Sequence, residues 1–171
     1  MVKIRPEEIK TLSNYIYNVS GITIDASKAY LLETRFGKLL DEEGCKSYSE
    51  FYHKAKSDAR KILEKKIINA ITTNETLFFR DTSPFELLKH KILPDLIDAR
   101  SGKGVHPGLP NLRIWSSACS TGQELYSIAI VIKELLGNNG SHKTTLMGTD
   151  LSDAAVAQAS AGAYNKFEIE R

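Results

Sequence analysis

Cysteine is scarce in this 171-residue sequence, and the two present, Cys45 and Cys119, are too few and too far apart for a disulfide framework or a four-ligand zinc site. Long hydrophobic runs are missing too. No stretch approaches the roughly 20 apolar residues of a membrane-spanning helix, so direct membrane insertion is not expected. The N-terminus, Met1-Val2-Lys3-Ile4-Arg5-Pro6-Glu7, lacks the apolar run of a signal peptide, which makes the cytoplasm the expected location. Neither sign of charge dominates: 23 Lys+Arg against 21 Asp+Glu leave +2, too little to imply a nucleic-acid partner by itself. His53, His90, His106 and His142 are scattered without metal-ligand spacing, so they are expected at the surface and no metal site is expected. There are no internal repeats and no low-complexity segments. What is present, 42% hydrophobic and 26% charged residues, is the composition of a soluble globular protein with room for one or two domains.

Pattern and charge change near residue 75. Residues 1–70 carry 13 basic against 10 acidic side chains, a net of +3, and residues 71–171 carry 10 against 11, a net of −1. The first part predicts helices. Pro6 suits a first turn, and Ile9, Leu12, Ile16 and Val19 recur at helical spacing until Gly21. Asp25 or Ser27 is placed to cap a second helix with an apolar face of Leu32, Phe36, Leu39 and Leu40, ending at Gly44. Ser47 and Glu50 form a capping box for a short third helix, and Ile62, Ile67, Ile68 and Ile71 are the core side of a fourth. The second part alternates helix and strand. A helix from Ser83-Pro84 through Ile97 should be kinked or divided at Pro94. A Gly/Pro-rich loop follows from Ser101 to Pro110, then a strand from Leu112 to Trp115 and a helix from Gly122 to Leu136. A second strand runs from Thr144 to Thr149, with a helix opening at Ser152 or Asp153 and continuing through Ala161. That order predicts a parallel sheet.

The first strand runs through Ser117-Ala118-Cys119-Ser120-Thr121-Gly122 directly into a helix. Small residues there allow close approach of a ligand, and the helix N-terminus offers unpaired N–H groups. The segment does not match G-x-G-x-x-G and no Walker lysine follows, so dinucleotide and triphosphate binding are not favoured. A plain tight βα turn with no ligand satisfies the same residues. Asp150, at the end of the next strand, can accept hydrogen bonds from both hydroxyls of a ribose, or can cap the following helix. Together, turn and aspartate point to a nucleoside-containing ligand, either NAD-like or S-adenosylmethionine. Glu124, in the first turn of the helix after Gly122, suits a ligand ammonium better than a pyrophosphate. It equally suits the helix dipole alone, worth about 0.3–1 kcal/mol.

Three ordered motifs are more specific: Thr72-Thr73-Asn74-Glu75-Thr76-Leu77-Phe78-Phe79-Arg80; Ile114-Trp115-Ser116-Ser117-Ala118-Cys119-Ser120-Thr121-Gly122-Gln123-Glu124-Leu125-Tyr126-Ser127; and Gly148-Thr149-Asp150 with Ala159 and Gly162-Ala163-Tyr164. These residues resemble the CheR family, the chemotaxis receptor glutamate methyltransferases of bacteria. The resemblance implies an α/β chain: a small N-terminal all-helical domain over residues 1–72, then the first part of a Rossmann-like S-adenosylmethionine-dependent methyltransferase domain over residues 73–171. It implies S-adenosyl-L-methionine as cofactor, S-adenosyl-L-homocysteine as product, and cofactor contacts at Asn74, Thr76, Arg80, Glu124 and Asp150. Glu124 and Arg80 would lie near the methionyl part and the site of methyl transfer, which makes Arg80 the candidate catalytic residue; a structural salt bridge is its alternative role. Gln123 stands where the family commonly has a first Glu, and Leu125 where it commonly has Pro.

The chemistry implied needs little acid–base help, because a glutamate side chain is ionised at neutral pH. The implied partners are the cytoplasmic methylation helices of chemoreceptors. Lys28, Arg35 and Lys38, on roughly one face of the second predicted helix, match the family's basic helix in position. The crowded Lys54, Lys56, Arg60, Lys61, Lys65 and Lys66 offer a second basic surface or a merely solvated helix face. Family members continue well beyond the equivalent of Arg171, with further strands, a later Arg-Asn motif at the cofactor and a small β subdomain. Two strands alone leave apolar edges open. The expectation is that a second copy of the chain completes the sheet, or that activity is impaired. A catalytically inactive cofactor- or receptor-binding regulatory module is the alternative reading.

Overall fold

The computed structural model describes residues 2–101, 111–137 and 144–169. Its chain forms two compact units, Met1–Thr73 together with Leu151–Asp153, and Asn74–Asp150 together with Ala154–Arg171. The predicted loop from Ser101 to Pro110 lies, from residue 102 on, outside the described residues, as do His106 and His142.

In the first unit, helix α1 (Pro6–Ser20) begins with proline at its first position and ends at Gly21, whose φ of 75° closes the helix in the left-handed region. Buried Glu8 anchors the start. Its carboxylate accepts the Arg5 N–H at 2.9 Å and the Ser49 N–H at 2.9 Å, and pairs with the Arg5 guanidinium at 3.1 Å. Asp25 caps the 3-10 turn Ala26–Lys28 through the Ser27 N–H at 2.9 Å, and not α2 (Ala29–Glu42) as expected, because the extra turn moves the helix start four residues on. Gly44 ends α2 with φ 69°. Helix α3 (Tyr48–Ser57) is capped by the Ser47 hydroxyl, which accepts the Glu50 N–H at 3.1 Å. The reciprocal half of the expected box is shifted: Glu50 accepts the N–H of Lys46 at 2.7 Å. In α4 (Ile62–Ile71) the buried side is Leu63, Ile67 and Ile71, while Ile62 is 46% exposed, which corrects the expected core face. These join Leu12, Ile16, Leu32, Phe36, Leu40, Tyr48 and Phe51 in one core. Each such buried aliphatic or aromatic side chain contributes about 1.5–3 kcal/mol.

The second unit opens with α5 (Thr82–Leu87), a π-helical stretch over Leu88–Ile92, and α6 (Leu93–Ser101). Pro94 therefore divides the predicted helix, but just ahead of itself. It has no N–H to offer a carbonyl four residues back, and the Leu93 N–H reaches the Leu88 carbonyl instead, widening the turn. Strand β1 (Leu112–Ser117) pairs in parallel with β2 (Thr144–Thr149), Leu112 opposite Thr144 and Ser117 opposite Thr149. Between them runs α7 (Gln123–Leu136), whose Ile128, Val131 and Ile132 pack with Leu112, Phe85 and Leu93. Two further helices follow: α8 (Asp153–Ala161), which matches the predicted helix, and the short α9 (Lys166–Ile169), which pattern alone did not reveal. The sheet alternates strictly. Leu112, Ile114 and Ser116 face inward, while Trp115 and the Met147 beside it in register are 62% and 53% exposed. Parallel sheets are normally covered on both faces; among the described residues this one is covered on one.

Candidate functional site

The βα turn between β1 and α7 is held under strain. Ala118, Ser120 and Gly122 have φ of 59°, 50° and 98°, a region that costs a non-glycine residue about 1–2 kcal/mol. Hydrogen bonds fix each step. The Cys119 N–H reaches the Thr149 carbonyl at 2.9 Å, and the Gly122 N–H reaches the Cys119 carbonyl at 2.9 Å. Ser120 does double duty: its N–H donates to the Asp150 carboxylate at 2.8 Å and its hydroxyl donates to the Asn74 carbonyl at 2.8 Å. A single serine thus ties together the turn, the end of β2 and the segment carrying the first motif.

Glycines make this closeness possible. A Cβ on Gly122 would lie 2.7 Å from the Tyr164 hydroxyl and 2.9 Å from the Ala159 Cβ; one on Gly148 would lie 2.8 Å from the Cys119 sulfur. Cys119 is buried, and burial first, then the Asp150 charge, push its thiol up, so it is an inert packing group and not a thiolate nucleophile. Tyr164 donates to the Thr121 carbonyl at 2.6 Å, and its ring meets Phe78 and Tyr126 edge-on at 5.0 and 5.6 Å.

The predicted cofactor residues fall into two groups. Asn74 and Thr76 line a cleft of about 730 Å³ with Thr121, Gln123, Gln158 and Phe167. Asp150, Glu124 and Arg80 do not line it. Asp150 sits at the turn through Ser120. Glu124 is exposed at the start of α7, where the Ser116 hydroxyl donates to its carboxylate at 2.7 Å. Arg80 is exposed and donates to the Glu75 carbonyl at 3.1 Å, with Asp81 at 4.0 Å. Strain recurs beside it: Phe79 and Asp81 have φ of 50° and 56°, and the Phe79 N–H is held by the buried Ser127 hydroxyl at 2.9 Å. Ser116, Ser120, Ser127 and Tyr164 are the supporting residues that sequence reasoning did not single out. All but Tyr164 lie inside the central motif, where smallness was visible and bonding was not.

In the helical unit, Lys28 is exposed just ahead of α2, and Lys38 is 90% exposed with Glu42 at 3.6 Å. Arg35 is engaged differently. Its guanidinium donates to the Thr72 carbonyl at 3.2 Å and the Ala70 carbonyl at 3.4 Å, closing the C-terminal end of α4. Much of the lysine-rich cluster is also paired, Lys54 and Lys66 with Glu43 at 2.9 and 2.7 Å and Lys61 with Glu64 at 3.1 Å. His53 and His90 are exposed, and no metal-binding cluster occurs among the described residues. No helix among them is long and apolar enough to cross a membrane.

Residues 74–171 match the family model for the SAM-binding domain of CheR methyltransferase, and residues 7–72 match the model for its all-alpha domain. The chain belongs to the CheR methyltransferase family. Chemotaxis protein methyltransferase 1 of Pseudomonas aeruginosa is 39% identical over 160 residues, 92% of this chain and 56% of the relative. Chemotaxis protein methyltransferase Cher2 of Pseudomonas putida is 38% identical over the same length, and covers the same shares. The chemotaxis protein methyltransferase of Borreliella burgdorferi is 33% identical over 169 residues, 98% of this chain and 58% of the relative. The chain spans 56–58% of the length of these CheR relatives.

Proposed function

We propose that this chain is a protein-glutamate O-methyltransferase that uses S-adenosyl-L-methionine to methylate glutamate side chains of bacterial chemoreceptors in the cytoplasm. The observation that carries this reading is the strained turn, in which Ser120 holds both the Asp150 carboxylate and the Asn74 carbonyl. Non-glycine residues in such backbone persist where the surroundings impose them, as at ligand sites. The names of the relatives, chemotaxis protein methyltransferases, point the same way. The residues present suit the cofactor: an aspartate at the strand end for ribose hydroxyls, and an exposed glutamate oriented by Ser116 for an ammonium.

When bound, S-adenosylmethionine supplies a methyl group made electrophilic by its sulfonium. The chain's own residues then bind and orient. Asp150 accepts from the ribose, Glu124 balances the methionyl ammonium, and Asn74 and Thr76 contact the cofactor from the segment after the helical domain. Arg80, with a fork of donors on the exposed side, orients a carboxylate by charge-assisted hydrogen bonds. A substrate glutamate, with an ordinary pKa of about 4.3, arrives ionised, so no base is needed and in-line positioning supplies the acceleration. Lys28 and Lys38 offer basic side chains to acidic receptor helices, whereas Arg35 is spent on the end of α4. The domain division at residues 72 and 73 fits this arrangement. A second copy of the chain covering exposed Trp115 and Met147 is the oligomeric form this reading favours, and sedimentation tests it.

Transfer of a labelled methyl group from S-adenosylmethionine to a chemoreceptor cytoplasmic fragment, as a base-labile ester, tests the reading. Label on the receptor is expected. A protein that binds the cofactor and leaves the receptor unlabelled would be the inactive binding module, and the proposal would fail.

A further inference from the structure

Ser127 is fully buried on α7, and its hydroxyl makes two bonds. It donates to the Gln123 carbonyl one turn earlier at 2.7 Å, and it accepts the Phe79 N–H at 2.9 Å. A hydroxyl has one proton to give and lone pairs that receive, so both bonds form at once. The first keeps the side chain on its own helix. The second reaches 48 residues back along the chain, to the residue just before Arg80.

The backbone it grips is one that does not persist unaided. Phe79 and Asp81, on either side of Arg80, both lie in the left-handed region, with φ of 50° and 56°. Neither is a glycine, so the surroundings impose this conformation. The Phe79 ring meets buried Phe85 edge-on at 5.4 Å, and the Phe78 ring meets Tyr164 at 5.0 Å. Those rings anchor side chains, whereas the Ser127 bond takes hold of the backbone itself. Arg80 is exposed, and its long side chain starts from a backbone whose direction these flanking residues set.

Glu124 stands three positions before Ser127 on the same helix, its carboxylate oriented by the Ser116 hydroxyl at 2.7 Å. The methionyl end of S-adenosylmethionine carries two opposite charges, an ammonium and a carboxylate. Reading both requires an anion and a cation at a set separation, and a binding constellation works when its groups are held to within about 0.5 Å. We propose that Ser127 is a positioning residue for the cofactor: by tying the Phe79 N–H to α7, it sets Arg80 relative to Glu124, so that the pair reads carboxylate and ammonium together. This rests on the cofactor reading above and adds to it the device that sets the spacing. Ser127 itself is buried and acts through Arg80.

Amide hydrogen exchange on the ligand-free 171-residue chain and calorimetric titration with two ligands test this. S-adenosylhomocysteine carries both charges; 5′-methylthioadenosine keeps the nucleoside and the thioether and lacks both. Ser127→Ala is expected to speed exchange of the Phe79 N–H at least tenfold. It should weaken S-adenosylhomocysteine at least fivefold and leave 5′-methylthioadenosine within twofold. Ser127→Cys, with a weaker acceptor of similar size, should fall between parent and alanine. In an Arg80→Ala background, which itself loses S-adenosylhomocysteine affinity selectively, Ser127→Ala should cost less than a further twofold. Ile132→Val, a core change on the same helix, should leave the ratio of the two affinities within twofold of the parent. Unchanged Phe79 exchange, equal loss of both ligands in the two Ser127 variants, or a full fivefold loss without Arg80 would overturn the proposal. A parent chain that binds neither ligand would fail the cofactor reading and this proposal with it; any of the other results in a parent that binds both fails this proposal alone.

Discussion

The hydroxyl of Tyr164 stands 2.7 Å from the point a Cβ on Gly122 would occupy, and the relationship is mirrored by Tyr126, whose hydroxyl stands 2.6 Å from the corresponding point on Gly162. Each tyrosine also bonds to backbone across the gap, Tyr164 to Thr121 at 2.6 Å and Tyr126 to Ala159 at 3.0 Å. Two tyrosines and two glycines therefore lock the start of α7 to the end of α8. The strained turn with Asp150 rests on this lock.

Gly122→Ala should be severely destabilising. The backbone strain of φ 98° adds to contacts of 2.7 Å with Tyr164 and 2.9 Å with Ala159, so a loss of at least about 2 kcal/mol is expected in urea unfolding at unchanged slope.

Tyr164→Phe removes the hydroxyl bond to Thr121 and should cost about 1 kcal/mol alone. In the Gly122→Ala background it should cost less, because the hydroxyl is one of the atoms the new methyl meets. A double-mutant cycle should return a coupling of about 0.5 kcal/mol or more; strict additivity would separate the two residues.

Glu8 makes the helical unit sensitive to acid. Burial raises its carboxyl, but bonds from Arg5 and the Ser49 N–H outweigh this and hold it below the ordinary carboxylate range. A carboxyl lowered by folding stabilises the native state above its unfolded pKa, and that contribution disappears as pH falls through the folded value. Stability should therefore drop below about pH 4.3, and Glu8→Gln should lower neutral-pH stability while flattening that acid limb in pH-dependent unfolding.

Arg35 and Lys38 should behave differently despite sharing a helix. Arg35→Ala unties the carbonyls at the end of α4 and should cost about 0.5–1 kcal/mol in thermal unfolding. Lys38→Ala, nearly fully exposed, should stay within about 0.5 kcal/mol of the parent. On a receptor fragment the order reverses, with Lys38→Glu weakening binding at low salt and relaxing toward the parent as salt screens it.

The legible parts of this fold are those set by neighbouring residues. Pro6 and Gly21 bound α1 and Ser47 caps α3, because each depends on residues a few positions away. Where tertiary context decides, pattern fails. Ile62 and Leu63 are equally apolar, and only packing puts Leu63 in the core. The short α9 rests on a reciprocal bond pair between Asn165 and Glu168, at 2.8 and 3.1 Å, too brief a signal for periodicity. Asp150 and Glu124 were visible as residues suited to a nucleoside ligand. Their supports, Ser120 and Ser116, act 30 and 8 residues away and had no sequence signature beyond being small.

Calorimetric titration of the chain with S-adenosylhomocysteine, beside Asp150→Ala and Asp150→Asn, tests the central claim most directly. The account predicts one saturable site of micromolar affinity. Asp150→Ala should weaken it at least about tenfold, or 1.4 kcal/mol, and Asp150→Asn, which can keep an acceptor for Ser120, should fall between. No binding by the parent chain, or undiminished affinity in Asp150→Ala, would contradict it.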